Sequence, residues 1–190
     1  MKRIVITIVL LVALVSLSAC TEQVSATPTS PANVQAQKIA RGEYLVTIGG
    51  CNDCHTPLKM GPKGPEPDMS RMLSGHPSSV VMPEPPKGSG PWAWSGAITN
   101  TAFAGPWGVS YARNLTPDQV SGLGIWDEAM FIKTIRTGRH MGVSRPLLPP
   151  MPWFNYAKAS DEDLKSIYAY LRSIKPVRNE VPDAVIAGGM

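Results

Sequence analysis

Apolar positions recur at helical spacing in two distant parts of the chain. Ile39, Gly42, Leu45 and Val46 share one face and predict a helix that starts near Lys38 and runs directly into Cys51. Leu164, Ile167, Tyr168, Leu171 and Ile174 repeat in the same way after Ser160-Asp161-Glu162-Asp163, a capping-box-like start, and Pro176 stops the pattern. Gly42 costs about 1 kcal/mol in a helix interior, so its place on the apolar face implies that another helix crosses closely there. Two more helices are predicted between these. Thr116 as N-cap with Pro117 at the first helical position opens a short one that ends around Ser121 to Gly124. Trp126-Asp127-Glu128 opens the other, which carries Met130, Phe131 and Ile135 inward and closes at Gly138.

The remaining stretches hold no period. From Thr21 to about Gln37 the chain is Thr, Ser, Pro, Gln and Ala with almost no large apolar residue, the composition of a disordered tether. Fully extended it reaches roughly 60 Å at about 3.3–3.6 Å per residue. Between Pro57 and about Tyr111, Pro and Gly are dense, with Gly61-Pro62, Gly64-Pro65, Pro85-Pro86 and Gly90-Pro91 marking turns. Trp92, Trp94, Phe103 and Trp107 argue against plain disorder there, because aromatic side chains need burial. The expectation is an insertion that wraps a cofactor edge, forms a docking face, or simply covers the core. Residues 179–190 form a tail, and Ala184 to Met190 is expected to fray.

Candidate chemistry changes this picture at one place. Cys51-Asn52-Asp53-Cys54-His55 reads as C-x-x-C-H, the attachment signature of covalently bound c-type haem. Two thiols three residues apart on a helical turn project to the same side, where each can add to one haem vinyl group, and His55 follows as the proximal iron ligand. A dithiol redox site would place C-x-x-C in a βαβ pattern, which is not visible, and a zinc site would need two more ligands. The chain has three cysteines and three histidines in all. No second C-x-x-C exists, and His76 and His140 stand in unrelated contexts.

The Arg41-Gly42-Glu43-Tyr44-Leu45 approach to C-x-x-C-H, together with the closing Asp161–Arg172 helix, resembles class I c-type cytochromes. That resemblance implies an all-α fold, a class I cytochrome c-like helical domain around one covalent haem, over residues 38–178 with the 57–111 stretch as a long Pro/Gly-rich insertion. It also implies that the first and last helices cross with Gly42 against Tyr168 or Tyr170. The Asn114-Leu115-Thr116-Pro117-Asp118 segment, Trp126, Phe131 and Arg136-Thr137-Gly138-Arg139-His140-Met141 are similar to a subgroup found as subunits of periplasmic dehydrogenases.

A carrier of electrons needs a second axial iron ligand. Met60 lies too near His55 in sequence to reach the other face of the ring; Met69, Met72 and Met82 belong to the insertion, and Met130 to a helix core. Met151 stands in Leu147-Leu148-Pro149-Pro150-Met151-Pro152-Trp153, a loop stiffened by prolines. In the family the axial methionine arrives on the loop before the last helix, which implies that Met151 and His55 are the iron ligands. Met141 and a bis-histidine arrangement through His140 are the next choices. If Met151 were only an adaptable apolar filler, the iron would be open. His/Met ligation raises the reduction potential relative to His/His. Asn114, Arg136, Arg139, Trp107 and Trp126 are candidate partners for the haem propionates.

The amino terminus and the charge bear on where this chemistry would act. Lys2 and Arg3 precede an uncharged, mostly apolar run from Ile4 to Ala19, the form of a secretory signal, shorter than the roughly 20 residues of a spanning helix. Leu17-Ser18-Ala19-Cys20 resembles the bacterial lipoprotein signal, which implies removal of residues 1–19 and lipid on Cys20, with residues 20–37 as the linker; an uncleaved membrane anchor is the alternative. Removing Lys2 and Arg3 lowers the formal net charge from +4 to +2, and no clustered basic face suggests nucleic acid. The expected protein is exported, lipid-anchored to a bacterial membrane and facing the periplasm or cell exterior. It passes electrons through haem c from a dehydrogenase to another cytochrome or an oxidase, with no small-molecule substrate of its own. A haem enzyme or gas-binding protein with an open distal site, served by His76 or His140, is the alternative, as is a subunit held to one dehydrogenase through the insertion.

Overall fold

The computed structural model describes residues 30–85 and 92–187. Helix α1 (Pro31–Ile48) starts upstream of the expected Lys38, because Ser30 caps it by accepting from the Asn33 amide and Pro31 occupies the first turn. Its first residues are exposed; only Gly42 and Val46 are buried. Helix α5 (Asp161–Ser173) starts as its sequence predicts, with the Ser160 hydroxyl accepting from the Asp163 amide at 3.0 Å. The two helices cross at Gly42. A Cβ built there would collide with the Ser166 carbonyl oxygen and lie 2.7 Å from the Tyr170 Cβ. Of the two tyrosines expected at the crossing, Tyr170 is the one that meets Gly42. Tyr168 instead donates to the Trp126 carbonyl at 2.6 Å and tilts against Phe131. Val46, Leu73, Leu123, Phe131, Ile135, Leu164 and Leu171 form the buried core around this crossing.

Helix α2 (Cys51–His55) follows α1 after a left-handed Gly50. Helix α3 (Glu128–Thr137) has Asp127 as its N-cap and left-handed Gly138 after its last turn, and it buries Phe131 and Ile135 as expected. A short α4 (Trp153–Tyr156) precedes α5. The expected helix after Thr116 does not form. Thr116 spends its hydroxyl on Asn114 Oδ1 rather than on a helix start. Asp118 gathers the Val120 amide and both the amide and hydroxyl of Ser121, while its carbonyl accepts from Gly122 and Gly124. These bonds close a chain of turns in place of a helical ladder.

The fold is not all-α. Strands β1 (Leu58–Gly61) and β2 (Gly64–Pro67) form an antiparallel hairpin, and β3 (Ser95–Gly96), β4 (Ala102–Gly105), β5 (Gly108–Tyr111) and β6 (Val185–Ile186) form a four-stranded antiparallel sheet in that order. The chain is therefore mixed, helices with two small sheets. Most of the strands lie in the 57–111 stretch, and each is too short to establish an alternating pattern. Pairing of Gly108 with Ile186 and Val109 with Val185 holds the first part of the segment expected to fray; residues 188–190 lie outside the described residues. Ahead of it, buried Asn179 accepts from Arg71 and the Ser78 amide and donates to the carbonyls of Ser74 and His76. Among the described residues no helix is long and apolar enough to cross a membrane.

Candidate cofactor site

Between α2, β5, α3 and the 147–152 loop lies a largely apolar cavity of about 210 Å³, partly open to solvent. Cys51, Cys54, His55 and Met151 all line it, so four residues chosen from sequence meet at one cavity. Cys20, the fifth, lies outside the described residues.

Helix α2 places the two thiols one turn apart. Burial pushes the Cys51 thiol up to about 11, with Asp53 and Cys54 adding to the shift against an opposing backbone hydrogen bond. Cys54 is raised too, by burial and then by Asp53. A dithiol redox site depends on a thiol lowered toward neutrality, so these shifts run against that chemistry. Among the described residues no three His, Cys, Asp or Glu side chains converge as a metal-binding group.

His55 is held from behind. Its Nδ1–H donates to the Arg113 carbonyl oxygen at 2.7 Å, which fixes the tautomer and leaves Nε2 with its lone pair. Burial lowers the imidazole pKa, opposed by that same carbonyl, so the neutral, ligating form is favoured. The Arg113 carbonyl is itself positioned by segment 73–76: the amides of Gly75, His76 and Leu115 bond to the carbonyls of His55, Ala112 and Leu73 at 2.8–2.9 Å. Gly75 has φ 78°, and a Cβ there would press on Ala112 and lie 2.6 Å from the Arg113 carbonyl carbon. Only glycine lets the backbone approach so closely.

Met151 arrives on a loop tied at several points. The Leu147 amide bonds to the Gly138 carbonyl at 2.8 Å, the Met151 amide to the Leu148 carbonyl at 3.2 Å, and Ser110 Oγ donates to the Pro149 carbonyl at 2.6 Å. Of the other methionines, Met60 and Met69 are exposed, and Met72 packs on the core. Met141, at φ 52° in a short 3-10 turn, is not among the lining residues. His140 does line the cavity, with its ring edge-on to Trp126 at 5.3 Å.

His76 is elsewhere. It is fully buried in the insertion, with Nε2 bonded to the Val80 carbonyl and Nδ1 to Thr101 Oγ1, both at 2.9 Å, so it has no ring nitrogen to offer a distal site. Of the residues suggested for the haem propionates, Asn114 and Trp126 line the cavity, whereas Arg136, Arg139 and Trp107 do not. Arg136 donates to the Ala157 carbonyl and Asp161, Arg139 to the Ser144 carbonyl, Asn114 to Ser121 and Val177, and the Trp107 indole to Ser110. The cavity also contains Arg113 and Arg145, which no sequence motif marked.

The donor set fits covalent haem: two protonated thiols one turn apart, a neutral imidazole with a fixed tautomer, and a thioether, all on apolar walls.

No family model matches the chain. It is 30% identical over 157 residues to the fructose dehydrogenase cytochrome subunit of Gluconobacter japonicus, covering 81% of this chain and 25% of that subunit. It is 30% identical over 149 residues to the gluconate 2-dehydrogenase cytochrome c subunit of Pantoea cypripedii, covering 78% and 26%. It is 29% identical over 156 residues to a nicotinate dehydrogenase polypeptide of Pseudomonas putida, covering 82% of this chain but 10% of that protein. The chain thus spans between a tenth and about a quarter of the length of these curated relatives. Over the shared stretch it is similar to the cytochrome c subunits of dehydrogenases.

Proposed function

We propose that this chain is a single-haem electron carrier that passes one electron at a time from a dehydrogenase to a downstream acceptor. In this reading Cys51 and Cys54 hold the haem by thioether bonds, and His55 and Met151 are the two iron ligands. When bound, the haem supplies the one-electron chemistry. The chain's part is to present the His55 Nε2 lone pair, hold Met151 on a proline-stiffened loop, and keep water from the apolar walls. The observation that carries the reading is that His55, its Nδ1–H held by the Arg113 carbonyl, and Met151 line the same cavity as both thiols. The leader sequence adds export and lipid attachment at Cys20, which would keep the domain beside membrane-bound partners.

A second reading is favoured by His140, which lines the same cavity and could serve an open distal site that binds gas or substrate. The test is the visible spectrum of the ferrous protein before and after carbon monoxide, with Met151→Ala beside it. An unmoved parent and a mutant that binds the gas support the carrier. A parent that binds carbon monoxide promptly overturns it in favour of the open site.

A further inference from the structure

We propose that Arg113 and Arg145 together form the seat of the two haem carboxylates. The inference rests on the covalent-haem reading. Against its apolar walls the cavity carries two cationic side chains, Arg113 just after β5 and Arg145 before the Met151 loop, with His140 also on its lining. Two guanidinium groups on one largely apolar lining call for negative charge to offset them.

The protein supplies little of it. Asp183 lies 3.7 Å from Arg113 Nη1 but is 90% exposed, so solvent screens it. Arg113 Nη1 also donates to the carbonyls of Val181 and Pro182 at 3.1 and 2.9 Å. Among the described residues the Arg145 guanidinium has neither hydrogen bond nor ion pair, and Arg113 uses only Nη1. The remaining N–H groups form planar forks suited to carboxylates, and arginine stays charged where a buried lysine would shed its proton. A ligand with two carboxylates matches two arginines in charge, and each planar fork suits one carboxylate. Arg113 then has two jobs, since its backbone carbonyl orients His55 while its side chain faces the same cofactor. Ferric iron is stabilised by nearby unpaired carboxylates, so arginines that neutralise them favour the ferrous state.

The experiment uses the full-length holoprotein carrying haem labelled with 13C at its carboxyl carbons. Arg145→Gln is the main variant, because Arg145 has no protein partner to lose among the described residues, whereas Arg113 also ties down the segment around Val181. Arg139→Gln is the control, since Arg139 bonds the Ser144 carbonyl and does not line the cavity. Arg145→Gln should lower the midpoint potential and move the labelled carboxylate bands in the ferric-minus-ferrous infrared spectrum. Arg145→Lys should restore part of the potential, and Arg139→Gln should move neither. Unmoved bands in Arg145→Gln overturn the assignment, even if the potential falls, because the charge would then be acting without contact. A parent that shows no thioether-linked haem in alkaline pyridine fails the cofactor reading itself, and the two failures are distinct.

Discussion

Ser110 and Pro149, far apart in sequence, are joined by a 2.6 Å hydrogen bond from the Ser110 hydroxyl to the Pro149 carbonyl. Ser110 is buried in β5, with the Trp107 indole donating to the same oxygen at 3.3 Å. One wall of the cavity therefore holds the loop that carries Met151. Ser110→Ala would remove the hydrogen bond to the Pro149 carbonyl, a loss of about 0.5–1.5 kcal/mol, concentrated where Met151 must stay fixed. The expected outcome is a ferrous Ser110→Ala protein that takes up carbon monoxide measurably faster than the parent. Equal rates by stopped-flow absorbance would show that the proline backbone alone fixes the loop.

The identity of the sixth ligand sets the direction of a second change. Methionine favours ferrous iron more than a second imidazole does. Met151→His is therefore expected to lower the midpoint potential and to remove the charge-transfer band of thioether-bound ferric haem near the red end of the spectrum. An unchanged potential in a correctly loaded protein would take Met151 out of the iron's coordination.

Gly42 tests the helix crossing. Because the obstacle to a Cβ is the Ser166 backbone and the Tyr170 Cβ, neither neighbour can rotate away, and α1 and α5 must separate. Gly42→Ala should destabilise the holoprotein by about 1–3 kcal/mol, overriding the roughly 1 kcal/mol that alanine gains in helix propensity. Urea unfolding followed by haem absorbance measures it. A neutral or stabilising result would mean that the helices do not approach this closely in solution.

These elements also show what was legible in the sequence. The C-x-x-C-H turn, the Ser160 cap, the Gly138 stop and the Gly42 crossing are local or periodic signals, and each produced the expected structure. The sheet was not legible, because β5 finds β6 across more than half the domain and short strands carry no period. Thr116-Pro117-Asp118 resembles a helix start, yet Asp118 satisfies the following amides itself and the two glycines after Ser121 fold back on its carbonyl. Arg113 and Arg145 were missed because their role depends on a cavity built by distant segments. A basic residue immediately before Asn114-Leu115-Thr116-Pro117 was the one faint cue.

His76 gives the protein an acid sensitivity with a definite sign. Its Nε2–H donates to the Val80 carbonyl, and its Nδ1 accepts from Thr101, whose oxygen also bonds Thr99 at 2.8 Å. Burial pushes its pKa below the ordinary 6.5, and Arg71 adds to this against the pull of the Val80 carbonyl. The unfolded chain therefore takes a proton below about pH 6.5 that the folded chain refuses. The stability associated with neutral His76 is fully present above pH 6.5 and is lost as pH falls toward the folded pKa, by at most about 1.4 kcal/mol per pH unit. His140 is lowered in the same direction, so the parent's slope is not due to His76 alone. His76→Gln should be less stable at pH 7.5, yet lose less stability than the parent between pH 7.5 and 5.5. Urea midpoints at the two pH values measure this, and parallel losses in parent and variant would remove His76 as a source of the acid sensitivity.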